Sequence, residues 1–497
     1  MIRLDLATLA KAANGKLVCN EALKSLSVDN LVTDSRALQK QNAFLALKGP
    51  NFDGHRFAQQ VVSKGCQVII VDNQIDGIDP NKVAQIIVAD TRIALGHIAQ
   101  FVKQQVAPKT IGITGSSGKT TVKEMLAAIL SRLGKVLATQ GNFNNDIGVP
   151  LTLLRLEKDH DFAVIEMGAN HIGEIAYTTE LVKPDVAMIN NIAAAHLEGF
   201  GDLCGVARAK GEIFAGLPPE GVALYNRDTK YTSKWQWRLT DKKVKIFSCL
   251  NPNNADCYSS DVVLDENGCA SFSLQTSIGQ SVIQLTVPGK HNVCNAVAAA
   301  SAAIECGASL DDIKLGLAEM APVKGRLNIH HLVRTSNSTA IKLIDDTYNA
   351  NVESIKAAIT LLANYKGERI LILGDMAELG ADARSYHQEV GEYAQQQGIN
   401  ILLTVGVLSQ NTSDAFARNN QAISEHFSDK AMLNDYLLDL LASGSEVEHE
   451  KQILVKGSRS AHMEYVVENI INWHAGSKKQ SQLLGQHIPN KHKQDNS

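Results

Sequence analysis

The sequence predicts an α/β protein of three domains, and three observations carry that prediction. Short apolar segments alternate with amphipathic helical segments along most of the chain, which is typical of mostly parallel sheets covered by helices. The 497 residues exceed the roughly 250–300 residues that one hydrophobic core supports. Hydrophobic residues make up 44% and charged residues 20% of the chain, as in an ordinary globular protein.

Changes in this pattern predict where the domains begin and end. Residues 1–107 hold short strand-like runs that indicate a small α/β domain, and the linker Ala107-Pro108-Lys109 closes it. Residues 108–322 and 323–475 each begin a new series of strands and helices. The polar segment 476–497, rich in Lys and Gln, is predicted to be a disordered tail.

The central domain is predicted to contain a doubly wound, mostly parallel sheet. Its buried strands alternate with helices and are expected at 111–114, 162–165, 186–189 and 222–225. Ligands of such sheets bind at the carboxyl ends of the strands, which are followed here by polar residues. The segments 262–264 and 270–274 flank an Asn-Gly turn, which predicts an antiparallel ribbon attached to this domain.

The third domain is predicted to hold a second α/β sheet. Its strands are expected at 341–344, 369–373, 401–405 and 452–455, with helices between them. The loops that follow these strands are polar, as in a ligand-binding sheet. The domain lacks a G-x-G-x-x-G segment, so the sequence does not support dinucleotide binding.

Charge and apolar patterning limit the partners and the compartment. The chain has 48 basic and 52 acidic residues, so no basic excess suits nucleic acid or an anionic membrane. No segment reaches 18 consecutive apolar residues, and the acidic Asp5 argues against a signal peptide, so we expect a cytoplasmic protein without membrane insertion. The 8 cysteines form no C-x-x-C pair and are expected to be reduced thiols.

One glycine-rich segment predicts a phosphate-binding loop. It follows a strand, opens a helix, and reads Thr114, Gly115, Ser116, Ser117, Gly118, Lys119, Thr120, Thr121. Its glycines allow a tight turn that aims backbone N–H groups at phosphate oxygens, while Lys119 can reach the β- and γ-phosphates and Thr120 can hold Mg²⁺. Because Ile113 replaces the first glycine of the full Walker pattern, an ordinary glycine-rich turn is the alternative.

Polar residues near this loop are candidates for a metal or ligand site. Glu166 and His196 follow predicted strands, where a carboxylate or imidazole would face the loop, although either also suits a solvated strand end or a core position. Lys210 has the pattern of a surface lysine on a helix. The polar cluster that includes Asn144 and Asn145 suits a capped turn as well as a ligand loop.

An ordered set of motifs resembles the Mur ligases, the ATP-dependent amide-forming enzymes of peptidoglycan precursor synthesis. Besides the phosphate loop, the set comprises Gly141–Pro150, Glu166–Ala169, Ala195–Glu198 and Pro288–Ala296. Three more segments, Ile344–Asn351, Leu373–Gly380 and Val455–Glu464, resemble the members of that family that add D-alanyl-D-alanine, and Asp34-Ser35-Arg36 fits them too. The resemblance covers about residues 1–470.

The resemblance implies an activity and an organisation. It implies an ATP-dependent ligase that adds D-alanyl-D-alanine to UDP-N-acetylmuramoyl-tripeptide through an acyl phosphate. It further implies an N-terminal UDP-sugar domain, a central ATP-binding domain, a C-terminal Rossmann-like domain and a monomeric enzyme. The sequence leaves open whether the third residue of the tripeptide is meso-diaminopimelate or L-lysine.

The resemblance also implies roles for individual residues. Lys119, His196 and Lys210 would be catalytic. ATP would be bound by the phosphate loop from Gly115 to Thr121 together with residues from later segments: Asn292, Asn295, Arg326 and Asp346. Mg²⁺ would be held by Thr120, Glu166 and His196, and by Lys210 if that lysine is carbamylated as in relatives. The implied substrate-binding residues are Ser35, Arg36, Asn144, Asn145, Asn349, Asn351, Lys456 and Ser458.

Two other functions remain open on the sequence alone. A related amide ligase, either another Mur type or a folylpolyglutamate synthase, would share the central motifs, but the Asp345–Asn351 and Lys456–Arg459 segments argue against it. A P-loop ATPase that acts as a switch would need no ligation chemistry, no third sheet and no separate N-terminal domain. These three functions can be distinguished by the acceptor that stimulates the release of ADP: D-alanyl-D-alanine, a single amino acid, or none.

Overall fold

A computed structural model describes residues 1–250, 252–332, 340–418, 422–442 and 450–485. It contains three α/β units, built on sheets of five, nine and six strands in chain order. The predicted three-domain α/β fold is confirmed.

The N-terminal domain is organised around the five-stranded sheet. Its strands are β1 (Leu4–Asp5), β2 (Lys16–Val18), β3 (Ser27–Val28), β4 (Asn30–Val32), β5 (Asn42–Leu45), β6 (Lys48–Gly49), β7 (Phe52–Asp53), β8 (Val68–Val71) and β9 (Ala84–Ile87). Its helices are α1 (Leu6–Ala12), α2 (Ala58–Ser63) and α3 (Thr91–Val106). The sheet order is β2-β9-β8-β5-β4, with only β2 antiparallel to its neighbour. The wholly apolar, buried β8 forms its centre, as expected of a strand covered on both faces.

The central domain carries the nine-stranded sheet. Its strands are β10 (Lys109–Thr114), β11 (Val136–Ala138), β12 (Phe162–Glu166), β13 (Val186–Ile189), β14 (Val222–Asn226), β15 (Lys243–Ser248), β16 (Cys257–Leu264), β17 (Cys269–Thr276) and β18 (Gly279–Pro288). Its helices are α4 (Lys119–Leu130), α5 (Gly148–Leu153), α6 (Glu174–Val182), α7 (Leu197–Phe200), α8 (Leu203–Gly211), α9 (His291–Ile304) and α10 (Leu310–Ala318).

The strand order of this sheet places a crevice beside β10. The order is β11-β12-β10-β13-β14-β15-β16-β17-β18, so the chain leaves β10 toward one edge and returns to pair β13 on its other side. A doubly wound sheet binds its ligands at such a switch point, outside the carboxyl ends of the strands. The phosphate loop, which follows β10, lies there.

The sequence analysis did not predict two strands of this sheet, the edge strand β11 and the internal strand β15. β11 has three residues, and β15 carries lysines at alternate positions, so neither forms the apolar run that marks the buried strands. The predicted antiparallel ribbon is present but has three strands, because β18 adds to the hairpin of β16 and β17.

The third domain carries the six-stranded sheet, whose order is β19-β20-β24-β21-β22-β23. Its strands are β19 (Asn328–Leu332), β20 (Ile341–Asp346), β21 (Glu368–Gly374), β22 (Ile401–Val405), β23 (Ile423–Phe427) and β24 (Lys451–Lys456). Its helices are α11 (Val352–Ala363), α12 (Ala383–Gln396), α13 (Gln410–Phe416), α14 (Lys430–Ala442) and α15 (Glu464–Gly485). Only β19 pairs antiparallel, and it was not predicted.

The end of the chain corrects one prediction. Helix α15 continues to Gly485, so the first part of the segment predicted to be a disordered tail from residue 476 is helical. The rest of that segment, 486–497, lies outside the described residues. Among the helices that the structure describes, none combines the length and the apolar composition needed to cross a membrane.

The cysteines correct a second prediction. Cys249 and Cys294 form a disulfide with Cα atoms 5.5 Å apart, so the expectation of reduced thiols is wrong for this pair. Cys249 follows β15 and Cys294 lies in the first turn of α9, and these elements pack side by side. Because 45 residues separate the two cysteines, no short-range motif pointed to the pairing. The other six cysteines are free thiols.

Candidate functional site

The phosphate loop has the geometry of an anion site. The loop joins the buried end of β10 to the N-terminus of α4, and the first turn of that helix has no capping side chain within the described part of the chain. Gly118 has φ +75°, and a Cβ there would come within 2.4 Å of Asn295 Oδ1, so only glycine fits. Free backbone N–H groups and the helix dipole favour a phosphate at this position.

A network of asparagine side chains holds the loop in place. Asn191 Oδ1 accepts hydrogen bonds from the backbone N–H groups of Ser116 and Ser117, at 3.0 and 2.9 Å. Asn190 Nδ2 donates to the Ser117 carbonyl and to Asn295 Oδ1, at 3.0 and 3.2 Å. Asn295 Nδ2 in turn donates to Asn292 Oδ1 at 2.8 Å. Asn292 and Asn295, predicted to bind ATP, therefore brace the loop as well as lining its cavity.

Glu166 supplies a carboxylate beside the loop. It ends β12, is 2% exposed, and its Oε1 accepts a hydrogen bond from Asn144 Nδ2 at 2.8 Å. Its Oε2 is buried and has no hydrogen-bond partner among the described residues. A buried carboxylate oxygen without a partner is unfavourable unless a cation or a hydrogen-bond donor binds it. Glu166 Oε2 is therefore free to coordinate Mg²⁺. The side chain of Asn145 instead accepts from the Gly148 N–H at 2.8 Å, where α5 begins.

Burial acts on both Lys119 and Lys210, and the charge of the first acts on the second, although Lys210 lines none of the cavities described below. Lys119 opens α4, and its Nζ donates to the Gly115 carbonyl at 2.8 Å. Burial lowers the pKa of Lys119, and the Glu166 carboxylate partly opposes that shift. Lys210, on α8, is 1% exposed, so the structure contradicts its interpretation as a surface lysine. Burial, and secondly the charge of Lys119, holds the pKa of Lys210 well below its usual value of 10.5.

His196 connects the central domain with the third domain. It has φ +54° at the start of α7, which turns its ring toward the loop that follows β21. His196 Nδ1 lies against the carboxylate of Glu378 in that loop, and the Glu378 carbonyl accepts from the Glu198 N–H at 3.4 Å. The imidazole holds down the pKa of the Glu378 carboxyl. Glu378 was not singled out in the sequence.

Arg326 and Asp346 also bring the third domain to the phosphate loop. Arg326 Nη2 donates to Thr120 Oγ1 at 3.1 Å, and its guanidinium lies 4.3 Å from the centroid of the Tyr348 ring. Asp346 accepts from Lys456 Nζ at 2.6 Å. Burial lowers the pKa of Lys456, and the Asp346 carboxylate opposes that shift. The attraction between the two side chains therefore offsets part of the cost of burying their charges.

The largest of three neighbouring cavities, about 820 Å³, lies beside the phosphate loop. Most of the residues predicted to bind ATP line it: Ser117, Gly118, Thr121, Asn292, Asn295, Arg326 and Asp346. Asn226 and Asp228, at the end of β14, line its far wall. A cavity of this volume is typical of small-molecule sites.

A second cavity of about 320 Å³ covers the phosphate loop itself. Its walls include Lys119, Thr120, Asn144, Asn145 and Glu166. A third, of about 450 Å³, lies between the loop and the third domain and includes Lys119 and His196. We call these the nucleotide, phosphate and interdomain cavities, in order of their description.

The structure brings most, but not all, predicted substrate residues together. Asn349 and Asn351 line both smaller cavities, and Asn351 Nδ2 reaches the Ser116 carbonyl at 3.4 Å. Ser458 lines the interdomain cavity, and Lys456 lines the nucleotide cavity. Ser35 and Arg36 lie in the N-terminal domain and line none of the three cavities.

The chain is similar to known proteins along most of its length. Three family models match: "Mur ligase family, catalytic domain" over 27–103, "Mur ligase middle domain" over 113–303, and "Mur ligase, glutamate ligase domain" over 325–459. The UDP-N-acetylmuramoyl-tripeptide--D-alanyl-D-alanine ligase of Escherichia coli strain K12 is 46% identical over 94% of this chain and 98% of its own. The chain belongs to the Mur ligase family.

Solved structures agree with that assignment. Crystal structure I of MurF from Acinetobacter baumannii superposes with a TM-score of 0.86 at 37% identity, covering 95% of this chain and 99% of that one. MurF ligase from Thermotoga maritima in complex with ADP superposes with a TM-score of 0.77 at 25% identity, covering 91% and 98%. This Mur ligase is therefore an ATP-dependent ligase, as the sequence motifs implied.

Sequence reasoning found the residues that local motifs expose and missed others in this Mur ligase. Asn190, Asn191 and Asn226 follow predicted strands and have no role predicted from the sequence, yet they support the phosphate loop or line the nucleotide cavity. Position after a buried strand was the usable signal for them. Glu378 carried no such signal, because its role depends on a contact between domains.

Proposed function

We propose that this Mur ligase joins D-alanyl-D-alanine to UDP-N-acetylmuramoyl-tripeptide, using ATP. The observation that carries the proposal is that the phosphate loop faces residues of the third domain, with Arg326 on Thr120 and Glu378 on His196. The activity is that of relatives up to 46% identical over nearly the whole chain. A switch ATPase needs no such second wall of charged residues around its phosphates.

The reaction needs ATP because a carboxylate is a poor electrophile. A carboxylate oxygen of the tripeptide attacks the γ-phosphorus, the bond to the β-phosphate oxygen breaks, and ADP leaves. The amine of D-alanyl-D-alanine then attacks the acyl carbon, the bond from carbon to phosphate oxygen breaks, and phosphate leaves with the amine proton. The protein contributes positions and fixed charges to both steps.

Lys119 and the N-terminus of α4 neutralise the γ-phosphoryl group in this proposal. Lys119 lies in the first turn of the helix, beside the backbone N–H groups. Fixed donors in a site that excludes water stabilise developing charge more strongly than water does. In the third domain Arg326 adds a second cation on the Thr120 side.

The site also fits Mg²⁺. Among the described residues Glu166 Oε2 is a buried oxygen without a hydrogen-bond partner, and Thr120 lines the same cavity with its hydroxyl-bearing side chain. Glu166, Thr120 and His196 would hold the ion, which when bound neutralises phosphate charge. Lys210 is the proposed fourth residue, and it would supply a negatively charged oxygen ligand if it were carbamylated.

Domain contacts protect the reactive intermediate from water. Glu378, Asn351 and Arg326 all reach across from the third domain to the phosphate loop or to His196. An acyl phosphate hydrolyses if water reaches it, so these contacts favour transfer to the amine. We place the enzyme in the cytoplasm, where ATP and UDP-linked precursors are available.

The deciding experiment measures ADP release with each substrate omitted in turn. We expect release only with ATP, UDP-N-acetylmuramoyl-tripeptide and D-alanyl-D-alanine together, and the meso-diaminopimelate and L-lysine tripeptides should be compared. Equal release with single amino acids would point to another Mur type or a folylpolyglutamate synthase. Release without tripeptide or dipeptide would support a switch ATPase.

Replacing Glu166 with glutamine tests the metal site. The amide keeps the acceptor for Asn144 but removes the charge, so we expect the Mg²⁺ concentration for half-maximal activity to rise about 10-fold or more. A Mg²⁺ titration of ADP release measures it. Glu180→Gln, an exposed acid on α6, is the control. An unchanged Mg²⁺ requirement in the Glu166 variant would contradict the assignment.

A further inference from the structure

The disulfide between Cys249 and Cys294 lies at the edge of the nucleotide cavity. Among the described residues, Cys294 is the single cysteine that lines any of the three cavities, and Leu250, next to Cys249, lines the same one. Both cysteines are half-buried, whereas Cys66 and Cys257 are fully buried. Small thiols and disulfides in solution can therefore reach this pair. The ligation chemistry uses neither of its sulfur atoms.

We propose that Cys249 and Cys294 form a reversible dithiol–disulfide site that keeps the nucleotide cavity clear of mixed disulfides. The ligand class is a low-molecular-weight disulfide, and glutathione disulfide is the probe. Thiols of cytoplasmic proteins are kept reduced, and they exchange with such disulfides when these accumulate. The inference goes beyond the proposed function, because it requires only that the cavity bind a nucleotide.

The exchange takes place in two steps. The thiolate of Cys294 attacks one sulfur of glutathione disulfide, which forms a mixed disulfide on Cys294 and releases one glutathione thiolate. The thiolate of Cys249 then attacks Cys294 Sγ, which closes the internal disulfide and releases the second glutathione thiolate. Two protein thiols are oxidised and one glutathione disulfide is reduced, while the two protons pass through solvent from the protein thiols to the released glutathione.

A mixed disulfide on Cys294 would interfere with the nucleotide. Cys294 lies in the first turn of α9 between Asn292 and Asn295, which line the cavity and brace the phosphate loop. A glutathionyl group is a tripeptide with two carboxylates and one ammonium group, so it adds bulk and net negative charge beside the phosphate site. Repulsion between like charges then disfavours the binding of a nucleotide.

The structure holds Cys249 in place for the second step. The Asp228 carboxylate accepts hydrogen bonds from the backbone N–H groups of Cys249 and Leu250, at 2.9 and 3.2 Å. It also accepts from the Ser248 hydroxyl at 2.7 Å. None of these bonds involves sulfur, so they keep the segment beside α9 when the thiols are reduced. Attack between two positioned groups of one molecule outcompetes attack by a free thiol, which makes an adduct on Cys294 short-lived.

The internal disulfide leaves the nucleotide cavity open. With this bond formed, the cavity has a volume of about 820 Å³. The hydrogen bonds of Asn295 to Asn190 and Asn292, which support the phosphate loop, are also present. The oxidised pair is therefore compatible with nucleotide binding, in contrast to the mixed disulfide.

The test measures ADP binding by calorimetry in the full-length protein, first reduced and then treated with glutathione disulfide. Wild type should form the internal disulfide, lose the mass of two hydrogens and keep its ADP affinity. Cys249→Ser cannot remove the adduct, so it should gain one glutathionyl group on Cys294 and lose ADP binding, and dithiothreitol should restore both. Cys294→Ser retains only the thiol outside the cavity and should bind ADP equally well before and after treatment.

Cys204→Ser is the matched control. Cys204 is also half-buried and follows Leu203, which lines the nucleotide cavity, but it has no partner cysteine. This variant should behave as wild type. Peptide mass mapping locates the adducts in each protein.

Three outcomes would overturn the proposal. They are a wild-type protein that retains the mixed disulfide on Cys294, a Cys249→Ser protein in which Cys294 does not react, and a Cys249→Ser protein that carries the adduct yet binds ADP as in its reduced state. Because ADP binding needs neither tripeptide nor dipeptide, none of these outcomes bears on the proposed ligase function.

Discussion

Lys119→Ala is expected to abolish ATP-dependent ligation while the protein stays folded. In the proposed site Lys119 supplies the cation nearest the transferred phosphate, and removing one preorganised charged donor of this kind costs about 10²–10³-fold in kcat. We expect at least that loss, because the negative charge on the phosphates would then face the Glu166 carboxylate with less compensation. The measurement is ADP release and product formation at saturating substrates.

The fold should tolerate this change. In the folded protein the Lys119 ammonium makes one hydrogen bond to the Gly115 carbonyl, worth about 1 kcal/mol. Burial lowers the pKa of Lys119, so part of that gain is already offset by the cost of burying its charge. The midpoint temperature of thermal unfolding should therefore change by only a few degrees. Exposed Lys314→Ala, on α10, is the control, and a folded Lys119→Ala enzyme with substantial ligation would refute the phosphate-loop assignment.

The parts of the site that could be predicted from the sequence are those whose residues lie together in one short segment of the chain. The phosphate loop follows from glycines, lysine and threonine between a strand and a helix, and the structure has that arrangement. Glu166 follows from its place at the end of a buried apolar strand. In both cases a local pattern fixes the position of the side chain relative to the sheet.

Long-range contacts could not be predicted in this way. Asn190 and Asn295 are 105 positions apart, yet their hydrogen bond supports the loop at Gly118. Glu378 and His196 lie in different domains, and their contact depends on how those domains pack. Neither pair can be recognised in the sequence from periodicity or from the spacing of a motif, because the partners come together only when the chain has folded.

Lys210 shows how a local pattern misleads. The helix α8 carries Arg208 and Lys210 near its end, which suggests a solvated face. In the structure Arg208 is exposed but Lys210 points inward among the buried alanines and valine of the same helix. Only the family resemblance pointed to a role for it, and its burial supports that role.

Lys210→Met is expected to lower ligation by about 10²–10³-fold without destabilising the fold. Methionine matches the length of the lysine stem and removes an amine whose charged form is disfavoured by burial. The free energy of unfolding of Lys210→Met should therefore be equal to or higher than that of the wild-type protein. Arg208→Met, on the exposed side of the same helix, is the control.

The pH dependence of stability gives an independent check. Because the folded pKa of Lys210 lies below the unfolded value of 10.5, the unfolded chain binds more protons between these two values. The contribution of Lys210 to stability therefore rises with pH across that range, and the methionine variant lacks it. In buffer free of CO₂ and divalent metal, the stability advantage of Lys210→Met should shrink as the pH approaches 10.5. An advantage that grows with pH would contradict the buried amine.

The lowered pKa of Lys210 favours one of two proposed roles for this lysine. An ammonium could pair directly with the substrate carboxylate, whereas a carbamate needs a neutral amine to react with CO₂. Burial favours the neutral amine, so wild-type activity should rise with bicarbonate, and the intact protein should gain the mass of one CO₂. Lys210→Arg keeps a permanent cation that cannot be carbamylated, and it should be as inactive as Lys210→Met. Activity in the arginine variant, with no response of wild type to bicarbonate, would favour the ammonium instead.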